Sequence, residues 1–222
     1  QAHHSLHAYF LRPGDPTTPV VYRVDRIRDG RSFSTRHVVA IQRGKAIFNM
    51  SVSFQVDEFG YEHQMPMPEA PAPENLPTWS DHVAKVLDRL PPEVRSWAPR
   101  PRPIDMRFVD PPTFLGGAPR SGPSLVWFRV PRPLPADPFV HQCRLTYASA
   151  RWLLDTLVKP HGRSGKLGPL MMASLDHALW FHVPLRVDDW LLYAQDSPAA
   201  AGGRGFARGS LYTRRGRLAD PG

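Results

Sequence analysis

Seventeen of the 26 prolines lie between Pro66 and Pro135. No other feature limits the fold of this chain as strongly. Proline fixes φ, lacks the amide hydrogen and pushes the preceding residue out of the helical region, so no long helix or interior strand can cross that span. One short helix is expected within it, from Ser80 to Leu90, with Ser80 as cap and Val83, Val86, Leu87 and Leu90 on one face. Regular structure must therefore fall on either side. The sequence divides into an N-terminal unit (1–65), a proline-rich linker crossing the surface (66–124) and a C-terminal unit (125–222).

The N-terminal unit alternates apolar and polar residues in four stretches, 4–11, 20–27, 33–41 and 46–54, with turn signals at Asp29-Gly30 and Arg43-Gly44. That pattern predicts a four-stranded antiparallel meander. The C-terminal unit opens with a strand over 125–130. A helix then starts at Asp137-Pro138 and carries Val140, Cys143, Tyr147, Ala150, Leu154 and Leu157 at steps of three and four, to end near Lys159-Pro160. Alternating stretches follow at 174–182, 190–196 and 204–213, before a turn at Arg215-Gly216.

Tyr9 to Tyr22 and Trp180 to Tyr193 have the same spacing, and Arg43-Gly44-Lys45 has a counterpart in Arg215-Gly216-Arg217. The halves read as copies of one unit. The second copy has a helix before its strands where the first has only Gln1-Ala2-His3, and the first continues after its R-G turn where the second stops at R-L-A-D-P-G. The chain is thus expected to lack the first unit's helix and the last strand.

A formal charge of +8 suits nucleic acid, anionic lipid or a phosphorylated small molecule. The arginines are dispersed through R-I-R-D-G-R, P-R-P-R-P, R-G-F-A-R-G and R-R-G-R, without a basic tail or aromatic stacking platforms, which ranks nucleic-acid binding last. A single cysteine, Cys143, excludes an internal disulfide and favours a reducing compartment. No apolar run approaches the roughly 20 residues of a membrane span, and a cytoplasmic location is expected.

The stretch M-A-S-L-D-H-A-L-W-F-H (172–182) holds Ser174, Asp176 and His177 within four positions. Strand alternation puts Ser174 and Asp176 on one face and His177 on the other, while a helix would leave Asp176 aside, so a local triad is excluded. Chemistry here needs residues from distant parts of the chain.

Several segments, in order, resemble the type II acyl-CoA thioesterases: H-S-L-H-A-Y-F-L-R-P-G-D (4–15), R-D-G-R-S-F-S-T-R (28–36), V-A-I-Q-R-G-K-A-I-F (39–48), E-H-Q (62–64), Y-A-S (147–149), L-D-H-A-L-W-F-H (175–182) and R-G-F-A-R-G with L-Y-T (204–213). The resemblance implies an α+β double hotdog fold, two tandem units each with a long helix against an antiparallel sheet. It also implies hydrolysis of fatty acyl-CoA by water, directed by an aspartate, a serine or threonine, and a glutamine. Carried onto this chain, the serine/threonine position is Ser174, the aspartate position is Ala150, and the glutamine would follow Leu218. Ala150 cannot accept a proton, and loss of a positioned base typically costs about 10²- to 10⁴-fold in rate. A weakened thioesterase is expected, with a non-catalytic acyl-CoA-binding or regulatory protein as the alternative.

Taken singly, Ser174 reads as a strand hydroxyl and Ala150 as core packing; the resemblance makes both candidates for the catalytic centre. Asp176 and His177 read first as residues that orient the strand, and with His4 they are candidates for substrate binding. His4 and His7 are spaced to opposite strand faces, and His63 has only Glu62 beside it, so no metal site is expected. No cofactor is implied. Acyl-CoA is the expected partner, and a homo-oligomer is expected from the resemblance.

Overall fold

A computed structural model describes residues 2–90, 92–115, 119–162 and 171–220. Two compact units emerge: the first from residues within Gln1–His63 and Met172–His182, the second from residues within Gln64–Met171 and Val183–Pro221. No helix among the described residues is long and apolar enough to cross a membrane.

The first unit is a five-stranded antiparallel sheet of β1 (Ala2–Phe10), β2 (Val21–Asp29), β3 (Phe33–Gln42), β4 (Lys45–Gln55) and β7 (Asp176–Trp180). Its order is β2-β3-β4-β1-β7, so the first four strands do not form the expected simple meander. β1 pairs with β4 instead of β2, because the loop 11–20 is long enough to carry the chain across the sheet. Gln42, at the end of β3, secures that loop. Its Oε1 accepts the Asp15 amide at 2.9 Å, and its Nε2 donates to the carbonyls of Asp15 at 2.9 Å and Thr18 at 2.6 Å. The R-P-G-D and I-Q-R-G segments are thus two sides of one contact.

Arg43 and Gly44 take φ of 48° and 72°, the doubly left-handed turn that suits the twist of a hairpin. Leu6 pairs with Val52 on one side and Leu179 on the other, and all three are buried. β7 adds the sequence repeat to this sheet in a specific way. The repeat aligns Ser5 with Asp176, His7 with Ala178 and Tyr9 with Trp180, while the register pairs Ser5 with Trp180, His7 with Ala178 and Tyr9 with Asp176. Equivalent residues therefore exchange places about a local two-fold through His7 and Ala178.

The second unit holds a five-stranded antiparallel sheet, β10-β9-β8-β6-β5. Its strands are β5 (Asp105–Phe108), β6 (Ser124–Arg129), β8 (Leu191–Ala201), β9 (Arg204–Thr213) and β10 (Leu218–Asp220). β8 runs past the expected end at Asp196 through an irregularity that contains Pro198, where proline is tolerated. After the Arg215-Gly216 turn, where no strand was expected, β10 adds three residues to β9. Gln64 of the E-H-Q segment holds this turn by donating to the Gly216 carbonyl at 2.7 Å and accepting the Leu218 amide at 3.0 Å.

The residues 66–124 contribute α1 (Trp79–Ala84), α2 (Pro92–Arg95) and β5 to the second unit, with Trp79, Val83, Met106 and Phe108 buried. The cap of α1 is Thr78, not Ser80. Thr78 and Asp81 bond each other's backbone in a capping box. Arg102 stacks 3.9 Å from the Trp79 ring centre and 5.5 Å from that of Trp152, so a proline-flanked cation fixes two indoles.

Two further helices, α3 (Pro138–Ser149) and α4 (Leu153–Val158), complete the unit. Both depend on glycines of R-G-F-A-R-G. A Cβ on Gly205 would meet Leu157 of α4 at 2.5 Å, and one on Gly209 would meet the Tyr193 ring at 2.4 Å. Tyr193 is buried and its hydroxyl donates to the Ser149 carbonyl at 3.4 Å, so Gly209 sets where the last turn of α3 rests. Overpacking such a contact costs about 1–3 kcal/mol. Gly209→Ala is expected to lower Tm by roughly 2–12 °C, at the 2–4 °C per kcal/mol usual for a chain of this size, as read by thermal unfolding monitored by circular dichroism.

Candidate active site

Ser174 is half-buried, just ahead of β7, at the end of the β1/β7 pair where the Phe10 amide donates to the Leu175 carbonyl at 2.9 Å. Asp176 lies opposite Tyr9 and is exposed; His177 lies opposite Ala8, which is buried. The two side chains take opposite faces of the strand, as alternation requires. The short separation in sequence does not become a triad. Burial lowers the His177 pKa from its ordinary 6.5, with the Asp176 charge opposing that shift.

His4 sits at an irregularity of β1 between His3 and Ser5. Its Nε2 lies 2.9 Å from the Ser53 hydroxyl, and its ring meets Phe33 edge-on at 5.9 Å. The His4 carbonyl accepts the Phe181 amide at 2.8 Å, at the opposite end of the pair from Phe10 and Leu175. Six residues of β1 separate the two ends, about 20 Å at the rise of a strand. Within this unit, Ser174, Asp176 and His177 form one neighbourhood and His4 belongs to another.

Ala150, in the second unit, is the C-cap of α3, with φ −68° and ψ −18°. The single helix expected as far as Lys159 is broken here. Thr146 Oγ1 donates back to the Gln142 carbonyl at 2.9 Å and Ser149 Oγ to the Thr146 carbonyl at 3.1 Å, bonds that compete with helix propagation. Trp152 then turns inward onto Trp79 and Phe108, at ring separations of 6.1 and 5.8 Å.

The expected apolar face of α3 is also not the buried one. His141, Leu145, Ala148 and Ser149 are buried, whereas Cys143 and Tyr147 are exposed. His141 turns the helix this way because its Nδ1 accepts the Val187 amide at 3.2 Å, and Tyr147 remains outside with its hydroxyl bonded to Arg151 at 2.8 Å. Ala150 is consequently half-buried, at the end of the outward stripe that includes Val140, Cys143 and Tyr147. A carboxylate at a helix C-terminus faces the negative end of the helix dipole, a penalty of about 0.3–1 kcal/mol that alanine avoids.

Two parts of the site were missed from sequence. The apolar stripe read from sequence, through Val140, Cys143 and Tyr147, did not include His141, and Tyr193 gave no sign that its hydroxyl reaches α3. The glycines of R-G-F-A-R-G were the available signal, since a strand glycine marks close approach.

Residues 104–219 match the sequence model of the acyl-CoA thioesterase family, and residues 1–55 match that of the acyl-CoA thioesterase N-terminal domain. Acyl-coenzyme A thioesterase 8 of Mus musculus is 40% identical over 227 residues, an alignment spanning 97% of this chain and 69% of the mouse protein. Acyl-CoA thioesterase 2 of Haemophilus influenzae is 36% identical over 97% of this chain and 75% of its own length. Among solved structures, the acyl-CoA thioesterase II TesB2 of Mycobacterium marinum superposes with a TM-score of 0.80 at 41% identity, covering 99% of this chain and 77% of that one. A protein of Alicyclobacillus acidocaldarius described as having a hot dog fold superposes at 0.69 with 18% identity, over 99% of this chain and 75% of its own. The fold is the double hotdog.

The histidines of the first unit make its stability sensitive to pH. Burial lowers the pKa of His3, with the His4 charge adding to the effect, as it lowers that of His177. Between each lowered value and 6.5 the unfolded chain binds more protons than the folded one, so stability is complete above pH 6.5 and declines as pH falls through that window. Tm is expected to drop between pH 7 and about pH 5, with a smaller drop for His177→Gln. Imidazole resonances titrating at or above 6.5 for both residues would contradict this account.

Proposed function

The chain belongs to the acyl-CoA thioesterase family, and from that premise we propose that it hydrolyses fatty acyl-CoA to a free fatty acid and CoA, at a rate limited by Ala150. The reading is carried by the continuity of the match: two family models and relatives near 40% identity over 97% of the chain. Ser174 is the hydroxyl assigned to orient the attacking water. Asp176 and His177 point to opposite faces of β7, so only one of these two candidates for substrate contact can lie beside Ser174, and His4, about 20 Å along β1, is assigned to the acyl tail instead of the thioester.

In this reaction the water oxygen adds to the thioester carbonyl, the carbon–sulfur bond breaks, and CoA leaves as a thiolate. Thiols ionise near 8.5, so the leaving group departs without an acid. The difficult events are loss of the water's proton and build-up of charge on the carbonyl oxygen. Ser174 can hold the water by a hydrogen bond, but Ala150 offers no acceptor for its proton, which passes to solvent. An exposed, unpaired Cys143 suits a reducing, cytoplasmic setting, and a homo-oligomer forms part of the same reading.

A second reading, an acyl-CoA-binding protein without turnover, is favoured by one observation, the methyl group of Ala150. Steady-state hydrolysis of an acyl-CoA series separates the two. Ala150→Asp is expected to raise kcat/KM by about 10²- to 10⁴-fold while lowering stability slightly through the helix dipole, and Ser174→Ala to lower it. Saturable acyl-CoA binding without turnover, in the natural protein and in Ala150→Asp alike, would favour the second reading.

A further inference from the structure

A cleft of about 980 Å³ opens in the second unit at the start of α3, where Pro138 and His141 form part of its wall. Five arginines line it, Arg129, Arg186, Arg214, Arg215 and Arg217, against two carboxylates, Glu74 and Asp189. Some of this charge is already engaged. Arg214 makes a bidentate pair with Glu74 at 2.7 and 3.0 Å, and Arg186 meets Asp188 at 2.7 Å. Arg129 lies over the Trp190 ring at 4.6 Å, 3.6 Å from Asp105, and its Nε has no hydrogen-bond acceptor among the described residues. Arg215 is exposed and has no carboxylate partner among the described residues.

His141 adds a buried polar group to the cleft wall, with the Asp188 carboxylate 3.9 Å from its Nδ1. Only 2% of the residue is exposed, and its Nδ1 accepts the Val187 amide at 3.2 Å, which in the neutral ring leaves the proton on Nε2. That nitrogen is buried without a partner among the described residues. An orphaned donor beside an excess of guanidinium groups, at the positive end of a 12-residue helix, matches a multiply charged anion with several acceptor oxygens.

We propose that this cleft binds the phosphate groups at the nucleotide end of CoA. The assignment rests on the reading that Ala150 marks the thioester end of the site. Pro138 and His141 precede Ala150 by nine to twelve residues of helix, about 14–18 Å of rise. The pantetheine arm, thirteen bonds from sulfur to phosphorus, spans about 15 Å when extended at the reach of a backbone chain. The two lengths agree. The outward stripe of Val140, Cys143, Tyr147 and Ala150 joins the same two ends along α3, and supplies a weakly polar track for that arm.

Two probes test this, adenosine 3′,5′-bisphosphate in a calorimetric titration and S-acyl-pantetheine as a substrate without the nucleotide. The bisphosphate is expected to bind, to weaken as salt rises, and to bind at least about tenfold more weakly to Arg215→Glu and to the milder Arg215→Gln paired with Arg217→Gln. KM for acyl-CoA should rise in these variants while S-acyl-pantetheine hydrolysis stays unchanged, and Arg23→Glu, on β2 and not among the residues that line the cleft, should alter neither. Equal bisphosphate affinity in natural and variant proteins of unchanged Tm would overturn the proposal, as would inhibition by bisphosphate that does not compete with acyl-CoA. Loss of turnover on both thioesters with bisphosphate binding intact would count against the hydrolase reading alone.

Discussion

The pairing of β1 with β7 is the constraint from which most of the first unit follows. β1 is flanked by β4 and β7, so its backbone donors and acceptors are committed on both sides, and its buried residues Leu6 and Ala8 have fixed neighbours in each. A slip of one residue would turn Leu6 and Leu179 outward and exchange the faces of Asp176 and His177. The register also explains why the tempting cluster at 174–177 has no common chemistry. A strand held this firmly keeps successive side chains apart, and only the residue ahead of it, Ser174, remains free of that alternation.

The second unit is organised by close approach instead of register. Gly205 and Gly209 let Leu157 and Tyr193 lie against β9, and the Tyr193 hydroxyl receives the end of α3. On the other side, Trp152 is drawn into Trp79, Phe108 and Arg102, and the helix stops between these two demands. Ala150 occupies that stop. Its lack of a carboxylate is favourable to the helix end and, on the proposed reading of this position, unfavourable to catalysis, which would set function and stability pulling in opposite directions.

The arginines that looked dispersed in sequence have two kinds of role. Arg43 pairs with Asp15 across the Gln42-anchored loop at 2.7 Å, and Arg208 pairs with Asp196 at 2.8 Å, both on exposed surface where such pairs contribute little to stability. Arg129, Arg186, Arg214, Arg215 and Arg217 instead surround one cleft. A net positive charge thus becomes informative only when its location is known, and here it lies at the end of α3 farthest from Ala150.

What the sequence determined by itself was local in origin. Period-two alternation marked nearly every long strand, Arg43-Gly44 specified its hairpin, Asp137-Pro138 started α3 and the ordered segments identified the family, because each signal depends on neighbours a few residues away. The proline-rich stretch concealed β5, since a four-residue strand between prolines leaves too short a pattern to read. Tertiary structure alone decided the placement of β1 beside β4 and β7, the break after Ser149, the burial of His141 in place of Cys143, and the gathering of arginines from Arg129 to Arg217. Those outcomes depend on partners distant in the chain, such as Val187 for His141 and Trp180 for Ser5, and local periodicity carries no information about which distant group satisfies a buried donor or covers an exposed face.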